Sequence, residues 1–119
     1  MKALIIRDPW VGLILEGSKT WEMRSRATRI RGRIALARQG TGLLVGTAEL
    51  VDVLAPLTLD DLLRTQHLHG IPAERAPAVA ADGWLTPWVL ANVQRFETPV
   101  PYAHPRGAVT WVNVPQAPA

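Results

Sequence analysis

Short apolar runs separated by turn-forming residues predict a fold built mainly from strands. In the first half of the chain, residues 2–7, 33–38 and 43–54 have the length and the apolar content of strands that are buried on at least one face. The glycine-rich segment 39–42 between the last two is a turn signal. We therefore expect these two strands to pair as a hairpin.

The second half of the chain predicts two further strands, at 88–97 and 107–114. An extended connection should join them, because prolines interrupt regular pairing. The prolines concerned are Pro99, Pro101 and Pro105. The last four residues, 116–119, should fray.

Apolar residues at helical spacing predict a helix over residues 9–16. Asp8 is a suitable N-cap, and Pro9 fits the first helical position because its missing N–H needs no partner there. Gly17 is the expected end of this helix, since glycine readily adopts the left-handed conformation of a helix C-terminus. The apolar face should pack on the sheet.

A second helix, of about nine residues, should begin after Thr58, whose hydroxyl can cap it. The leucines on its expected buried side are Leu59, Leu62 and Leu63. The segment 71–87 that follows is rich in proline and alanine and predicts a loop, with one helical turn near 73–81.

The polar stretch 17–26 organises these elements, because it predicts a tight turn and then a central strand with two different faces. Side chains alternate along a strand, so its polar residues should share one face while Trp21 and Met23 point into the core. A carboxylate set between cations, with Lys19 at the turn, is suited to a ligand that carries phosphate oxygens and base edges. A solvated face with weak ion pairs, and a Lys19 that only complements the helix dipole, are the alternatives. The polar residues of this face are Thr20, Glu22, Arg24 and Arg26.

The 119 residues fit one domain, 1–119, with a single hydrophobic core. The chain has no cysteine, which excludes disulfides, thiolate catalysis and cysteine-ligated zinc and agrees with a reducing compartment. The N-terminal apolar run is too short for a signal peptide or a membrane span, so we expect a cytoplasmic protein with no membrane partner.

Positive charge is concentrated in the first third of the chain. Residues 1–40 contain nine basic and three acidic side chains, whereas the remainder contains four basic and seven acidic ones. This asymmetry favours a polyanion as partner, and the exposed loop that carries Arg29 and Arg31 would belong to the basic surface. A high arginine content alone is the alternative explanation.

No metal or other cofactor is expected. His67 and His69 lie close in sequence, but no third histidine or carboxylate accompanies them at ligand spacing, and zinc sites need three or four protein ligands. Glu49 and Asp52 fall on opposite faces of their strand and are expected at its rim rather than as an acid–base pair.

A Gly-x-Lys-Thr-x-Glu-x-Arg string spans residues 17–24 and follows a helix that opens with Pro9-Trp10. Segments 31–36, 88–93 and 107–111 accompany this string in order. Together they resemble the ASCH domain, a branch of the PUA-like superfamily, over nearly the whole chain. The resemblance implies an α+β fold, a small mixed and largely antiparallel β-barrel of five to six strands flanked by two to three helices.

The resemblance further implies that the motif strand lines a basic cleft that binds RNA or a nucleoside or nucleotide. Cations of the cleft would contact phosphate, and Glu22 would accept from a base or ribose donor. Trp10 and Trp88 are each able to stack on a base or to pack in the core. The residues expected to contact the ligand are Trp10, Lys19, Thr20, Glu22, Arg24, Arg26, Arg29, Arg31 and Trp88.

An alternative function is also implied, because some bacterial proteins of this family look like small hydrolases. The chain would then be an amidohydrolase on an acylated nucleoside, or a metal-independent ribonuclease, with Lys19 and Glu22 as the proton-transfer pair. The amidohydrolase motif has a threonine where this chain has Glu22, and a carboxylate does not replace a hydroxyl nucleophile. Binding and hydrolysis both stay open at the level of the sequence.

Overall fold

The computed structural model describes residues 1–115, which form six strands and four short helices. The strands are β1 Lys2–Ile6, β2 Trp21–Arg24, β3 Gly32–Arg38, β4 Leu43–Val53, β5 Thr86–Pro101 and β6 Trp111–Asn113. The helices are α1 Trp10–Glu16, α2 Leu59–Arg64, α3 Gln66–His69 and α4 Ala76–Ala81, and a 3-10 turn at Ala73–Arg75 precedes α4. Within this range, none of the helices combines the length and the apolar character that crossing a membrane requires.

The six strands belong to one mixed sheet, in the order β2-β5-β4-β3-β1-β6. β1 and β3 run parallel, with Ala3 opposite Ala35, and every other neighbouring pair is antiparallel. A parallel pair needs a crossover connection, and the segment that contains α1 and β2 supplies it. β3 and β4 form the hairpin predicted from the turn at 39–42.

Contacts between distant strands show that the sheet curls. The Arg24 guanidinium of β2 donates to the Ile5 carbonyl of β1 at 2.8 Å, although β5, β4 and β3 lie between these two strands in the sheet. The Trp88 ring of β5 stacks on the Trp111 ring of β6, with 5.8 Å between the ring centroids. The sheet is therefore a curled half-barrel, and the α+β fold predicted from the sequence is confirmed, with four short helices.

The interior of the half-barrel is the main hydrophobic core. Alternate residues of β1 point to opposite sides of the sheet, yet both sides are buried. Leu4 and Ile6 belong to the main core, and Ala3 and Ile5 belong to a second apolar cluster. Ile14 of α1 is fully buried against the main core, so the predicted apolar face of this helix does pack on the sheet.

α1 begins one residue later than predicted, because Asp8 does not cap it. The residue before the helix is Pro9, and no side chain accepts a hydrogen bond from the first turn. The Asp8 carboxylate instead pairs with Arg38 at the end of β3. Gly17 ends the helix as predicted, since its φ is 88° and its N–H donates to a carbonyl of the last turn at 3.0 Å.

We expect Gly17→Val to lower the free energy of unfolding by about 1–2 kcal/mol, because a residue with a Cβ resists the left-handed conformation. The conformation is the sole obstacle, since a Cβ built at Gly17 meets no atom within 4 Å. Urea unfolding measures the change. Gly17→Asn is the matched control and should recover most of the loss, because asparagine tolerates this conformation. Equal stability of the valine variant and the wild type would contradict the helix boundary.

The second predicted helix is shorter and less buried than the sequence indicates. The Thr58 hydroxyl caps α2 as predicted, accepting from the Asp61 N–H at 3.1 Å. The helix ends after six residues, however, and Leu59 and Leu63 stay exposed while Leu62 is fully buried. A helix this short packs only one of its side chains against the core. The predicted burial of Leu59 and Leu63 is therefore wrong.

β5 runs through Pro99 and Pro101, where the sequence predicts a break. β2 pairs with β5 only as far as Val89. Beyond that residue no strand of residues 1–115 lies beside one edge of β5, and a missing N–H on that edge costs no ladder bond. β6 is shorter than predicted: it has three residues, Trp111–Asn113, where the sequence predicts a strand over 107–114. The predicted fraying of residues 116–119 lies outside the described residues.

Candidate functional site

The motif strand β2 lies at the edge of the sheet, which corrects the central position expected from the sequence. It is four residues long and pairs only with β5. Its two faces are not core and solvent, because Glu22 is as buried as Met23, at 5% exposure each. Met23 packs against Leu62 and Ile71 from the segment between β4 and β5. This edge strand therefore holds a carboxylate in a buried position beside a helical cover.

Lys19, just before β2, has only 1% of its surface exposed. Its ammonium donates to the main-chain carbonyls of Trp21 and His69, each at 2.7 Å. Nζ also lies 3.6 Å from Glu22 Oε1. Burial lowers the pKa of Lys19, and the nearby Glu22 carboxylate opposes part of that shift. Lys19 therefore joins β2 to the last turn of α3, a role beyond the alternative in which it only complements the dipole of α1.

The two carboxylate oxygens of Glu22 have different surroundings. Oε2 accepts from Arg24 Nε at 3.0 Å and lies 2.9 Å from Arg24 Nη2. The same Nη2 donates to the Ile5 carbonyl at 2.8 Å, so the guanidinium is held on two sides. Oε1 has the Lys19 ammonium at 3.6 Å, which is longer than an ordinary hydrogen bond. Oε1 therefore keeps the capacity to accept from a ligand.

A cleft of about 630 Å³ borders this carboxylate. Lys19 and Glu22 lie buried at its floor. Its exposed lining residues form what we call the mouth: Arg7, Gln39, Glu74, Arg75, Ala78, Asp82, Trp84 and Val109. The lining has four basic and three acidic side chains, so the cleft is close to neutral rather than strongly basic. The residues that line it are Ile5, Arg7, Trp10, Lys19, Glu22, Met23, Arg24, Gln39, Ile71, Glu74, Arg75, Ala78, Val79, Asp82, Trp84 and Val109.

Trp10 and Trp88, for which the sequence allows either stacking on a base or packing in the core, have different positions. Trp10 is half-buried and lines the cleft, with Lys19 Nζ 5.2 Å and the Arg75 guanidinium 5.7 Å from its ring centroid. Trp88 is 3% exposed, and its indole N–H donates to a main-chain carbonyl at 2.9 Å. The Arg24 guanidinium lies 5.5 Å from the Trp88 ring centroid. Trp88 therefore supports Arg24 from the core and does not line the cleft.

The other predicted ligand residues lie outside the cleft. Thr20 is exposed, and its main chain is hydrogen-bonded to Leu68 and Leu90. The loop after β2 borders a separate depression of about 410 Å³, which Arg26 and Arg31 line. The structure brings together Trp10, Lys19, Glu22 and Arg24, and it places Thr20, Arg26, Arg29, Arg31 and Trp88 elsewhere.

Several residues of the mouth have no recognisable signal in the sequence. They come from loops that are far apart in the chain, and the curl of the sheet brings these loops together. Segment 71–87 supplies one wall, and its helical part is present near the predicted 73–81 as the 3-10 turn and α4. A tryptophan within this proline- and alanine-rich segment is the one sequence feature that could have drawn attention to the wall. The residues concerned are Arg7, Gln39, Glu74, Arg75, Trp84 and Val109.

His69 is fully buried beside the floor of the cleft. Its Nε2 donates to the Leu62 carbonyl at 2.6 Å, and its Nδ1 accepts from the Ile71 N–H at 2.9 Å. Both ring nitrogens are therefore engaged in main-chain hydrogen bonds. Within residues 1–115, no group of three histidine, cysteine or acidic side chains is placed to hold a metal ion.

Acidification should destabilise the protein through His69. Burial lowers the pKa of His69 from its ordinary 6.5, so below that pH the unfolded chain binds a proton that the folded chain does not. The free energy of unfolding should fall as the pH drops from there to the lowered pKa, by at most about 1.4 kcal/mol per pH unit. Urea unfolding at a series of pH values checks this dependence. His69→Gln should flatten it, the exposed-site control His104→Gln should preserve it, and an unchanged slope in His69→Gln would contradict the assignment.

Comparison with known proteins gives one family. Residues 4–100 match the family model of the ASCH domain. A serine-to-alanine variant of the ASCH protein from Zymomonas mobilis has a TM-score of 0.70 at 19% identity, over 94% of this chain and 87% of that chain. A tyrosine-to-phenylalanine variant has a TM-score of 0.68 at 18% identity, over 84% and 74%. A further ASCH structure from this organism has a TM-score of 0.65 at 17% identity, over 79% and 68%.

No curated protein sequence matches the chain. At the identities of the solved structures, their similarity establishes the fold alone. The family model, in contrast, spans most of the chain and includes the whole motif at 17–24. This protein therefore belongs to the ASCH domain family and has a PUA-like fold.

Proposed function

We propose that this protein binds a nucleobase, presented by RNA or by a nucleoside or nucleotide, in the cleft that Glu22 borders. The observation that carries the proposal is the geometry of the Glu22 carboxylate. Arg24 holds Oε2, whereas the Lys19 ammonium lies 3.6 Å from Oε1. A buried acceptor with spare capacity favours a ligand that brings an N–H group. The amino and ring N–H groups of bases are such donors.

The rest of the cleft supports a base rather than a phosphate at the floor. The apolar lining beside Trp10 offers surface for a flat ring, whereas the Trp10 ring already has the Lys19 and Arg75 cations over it. The Lys19 and Arg24 cations already donate to protein acceptors, which reduces what they can offer to a phosphate. The sequence predicts that Lys19 and Arg24 contact phosphate. We assign that role instead to Arg7 and Arg75, which are exposed at the mouth.

The basic loop after β2 would contact only an RNA that extends beyond the cleft. Arg26 follows Arg24 by two residues and lines the depression outside the cleft. Arg29 and Arg31 are exposed on the same loop. A strand of RNA that leaves the cleft past Arg24 would meet these cations, which contact phosphate without reading sequence.

Calorimetric titration with paired nucleosides tests the proposal. Each natural nucleoside is compared with an analogue whose base N–H donors are methylated, as in uridine and 3-methyluridine. At least one natural nucleoside should bind about tenfold or more tightly than its analogue, because a hydrogen bond to a charged group contributes about 1.5–3 kcal/mol. Equal affinities within every pair, or no binding of any nucleoside or short RNA, would overturn the proposal.

The alternative is a hydrolase that acts on an acylated nucleoside or on RNA, with Lys19 and Glu22 as its proton-transfer pair. The Lys19 ammonium lies 3.6 Å from Glu22 Oε1, which is beyond hydrogen-bond reach for a proton transfer, and two main-chain carbonyls hold it in that position, so we rank binding first. Incubation with acylated nucleosides and unstructured RNA, followed by product chromatography, separates the two functions. Products that disappear with Glu22→Gln would establish the hydrolase.

A further inference from the structure

Trp84 is the most exposed aromatic side chain of the described residues. Of the seven tryptophan, tyrosine and phenylalanine residues in the chain, it alone is more than about a third exposed among residues 1–115, at 42%. Its ring lines the mouth of the cleft rather than a remote surface. An exposed tryptophan beside a cleft is a favourable place for a flat ligand ring to stack.

The backbone on both sides of Trp84 is anchored. The Trp84 N–H donates to the Val79 carbonyl of α4 at 3.2 Å, and the Leu85 carbonyl accepts from the Leu57 N–H at 2.8 Å. The Leu85 side chain packs against the apolar cluster that contains Met23. The backbone that carries the exposed indole is therefore held by packed neighbours, which lowers the ordering cost of a ligand contact there.

A second exposed apolar residue lines the same mouth. Val109 is 78% exposed, and the carbonyl of the next residue, Thr110, accepts from the Ile5 N–H at 2.9 Å. The mouth therefore has anchored apolar surface from two separate segments of the chain. The cleft of about 630 Å³ falls within the range of about 300–1,000 Å³ typical of sites for drug-sized ligands.

Charge at the mouth is balanced. Arg7 and Arg75 are opposed by Glu74 and Asp82, and all four line the cleft. The net charge of the mouth therefore adds little attraction for phosphate beyond local contacts with Arg7 and Arg75, and stacking is the stronger source of affinity that the mouth offers.

We propose that Trp84 is a stacking platform for a second base, next in the strand to the base at Glu22. The ligand class is then single-stranded RNA of at least two nucleotides, not a free nucleoside. This inference rests on the proposed function, since it takes the first base to be held at the floor of the cleft. Stacking on an aromatic side chain tolerates any base, so Trp84 adds affinity without adding sequence preference.

Calorimetry with uridine, adenosine and the dinucleotides UpA and ApU tests the inference. We expect at least one dinucleotide to bind wild-type protein roughly tenfold more tightly than either nucleoside. Trp84→Ala should abolish this gain and leave nucleoside affinity unchanged, while Trp84→Phe should keep most of it. The control Val51→Ala removes exposed apolar surface outside the cleft and should change neither affinity.

Several outcomes would overturn the inference. Nucleosides that bind as tightly as both dinucleotides would refute a second base site and leave the proposed function standing. The second site is likewise refuted if Trp84→Ala weakens nucleosides and dinucleotides equally, or if it weakens neither. Absence of binding by all four ligands would overturn the proposed function and the inference with it.

Discussion

Replacing Lys19 with methionine should lower the free energy of unfolding by about 3–5 kcal/mol, the usual cost of removing one partner from a buried ion pair. The change strips the donor from two main-chain carbonyls, those of Trp21 and His69. It also leaves the buried Glu22 carboxylate with Arg24 as its remaining cation. Buried acceptors without donors are costly, because water cannot reach them.

The protein contains an ideal control, since its other lysine is Lys2, exposed on β1. Lys2→Met removes the same charge and should change stability by less than about 0.5 kcal/mol. Urea unfolding of both variants, with circular dichroism as the readout, makes the comparison. From the sequence alone, a lysine at a helix end would cost about 1 kcal/mol or less. A loss that small in Lys19→Met would show that Lys19 is not the buried link between β2 and α3.

Replacing Glu22 with glutamine should weaken nucleobase binding by about 10- to 100-fold, because a charge-assisted hydrogen bond becomes a neutral one or is lost. Glutamine has nearly the same size, so the shape of the floor is retained. The variant should also lose the discrimination between a nucleoside and its methylated analogue, which a purely steric effect of the methyl group would preserve. Titration calorimetry measures both quantities.

Glu49→Gln is the matched control for this substitution. Glu49 is exposed on β4, accepts from the Asn92 side chain at 3.2 Å, and does not line the cleft. Its variant should bind with wild-type affinity. Urea unfolding of Glu22→Gln confirms that the protein is folded at the titration temperature. Wild-type affinity in folded Glu22→Gln would remove the carboxylate from the site.

Local features of the fold are predictable because neighbouring residues determine them. Gly17 ends α1, Thr58 caps α2, and the turn at 39–42 forms a hairpin, and in each case the cause lies within a few residues. Asp8 shows the limit of such reasoning. A side chain suited to capping pairs instead with Arg38, thirty positions away, because the fold places the end of β3 beside it.

Features that depend on the curl of the sheet are not predictable from local sequence. The sequence predicts Glu22 and Arg24 on a polar face of a central strand, but β2 is an edge strand that packs against the segment after β4. Trp88 is in the core because β5 and β6 meet across the half-barrel. Trp84 lines the cleft for the same long-range reason, so only part of the candidate site could be found before the fold was known.

Direct contact between Glu22 and a base is the central claim, and carbon-13 NMR of the glutamate carboxyl groups measures this contact. The chain has five glutamates, and the Glu22 signal is identified by its absence from Glu22→Gln. Titration with the tightest-binding nucleoside should shift the Glu22 signal in proportion to saturation, while the signals of Glu16, Glu49 and Glu97, outside the cleft, stay in place. A Glu22 signal that does not move while the nucleoside saturates the protein would contradict the proposed contact.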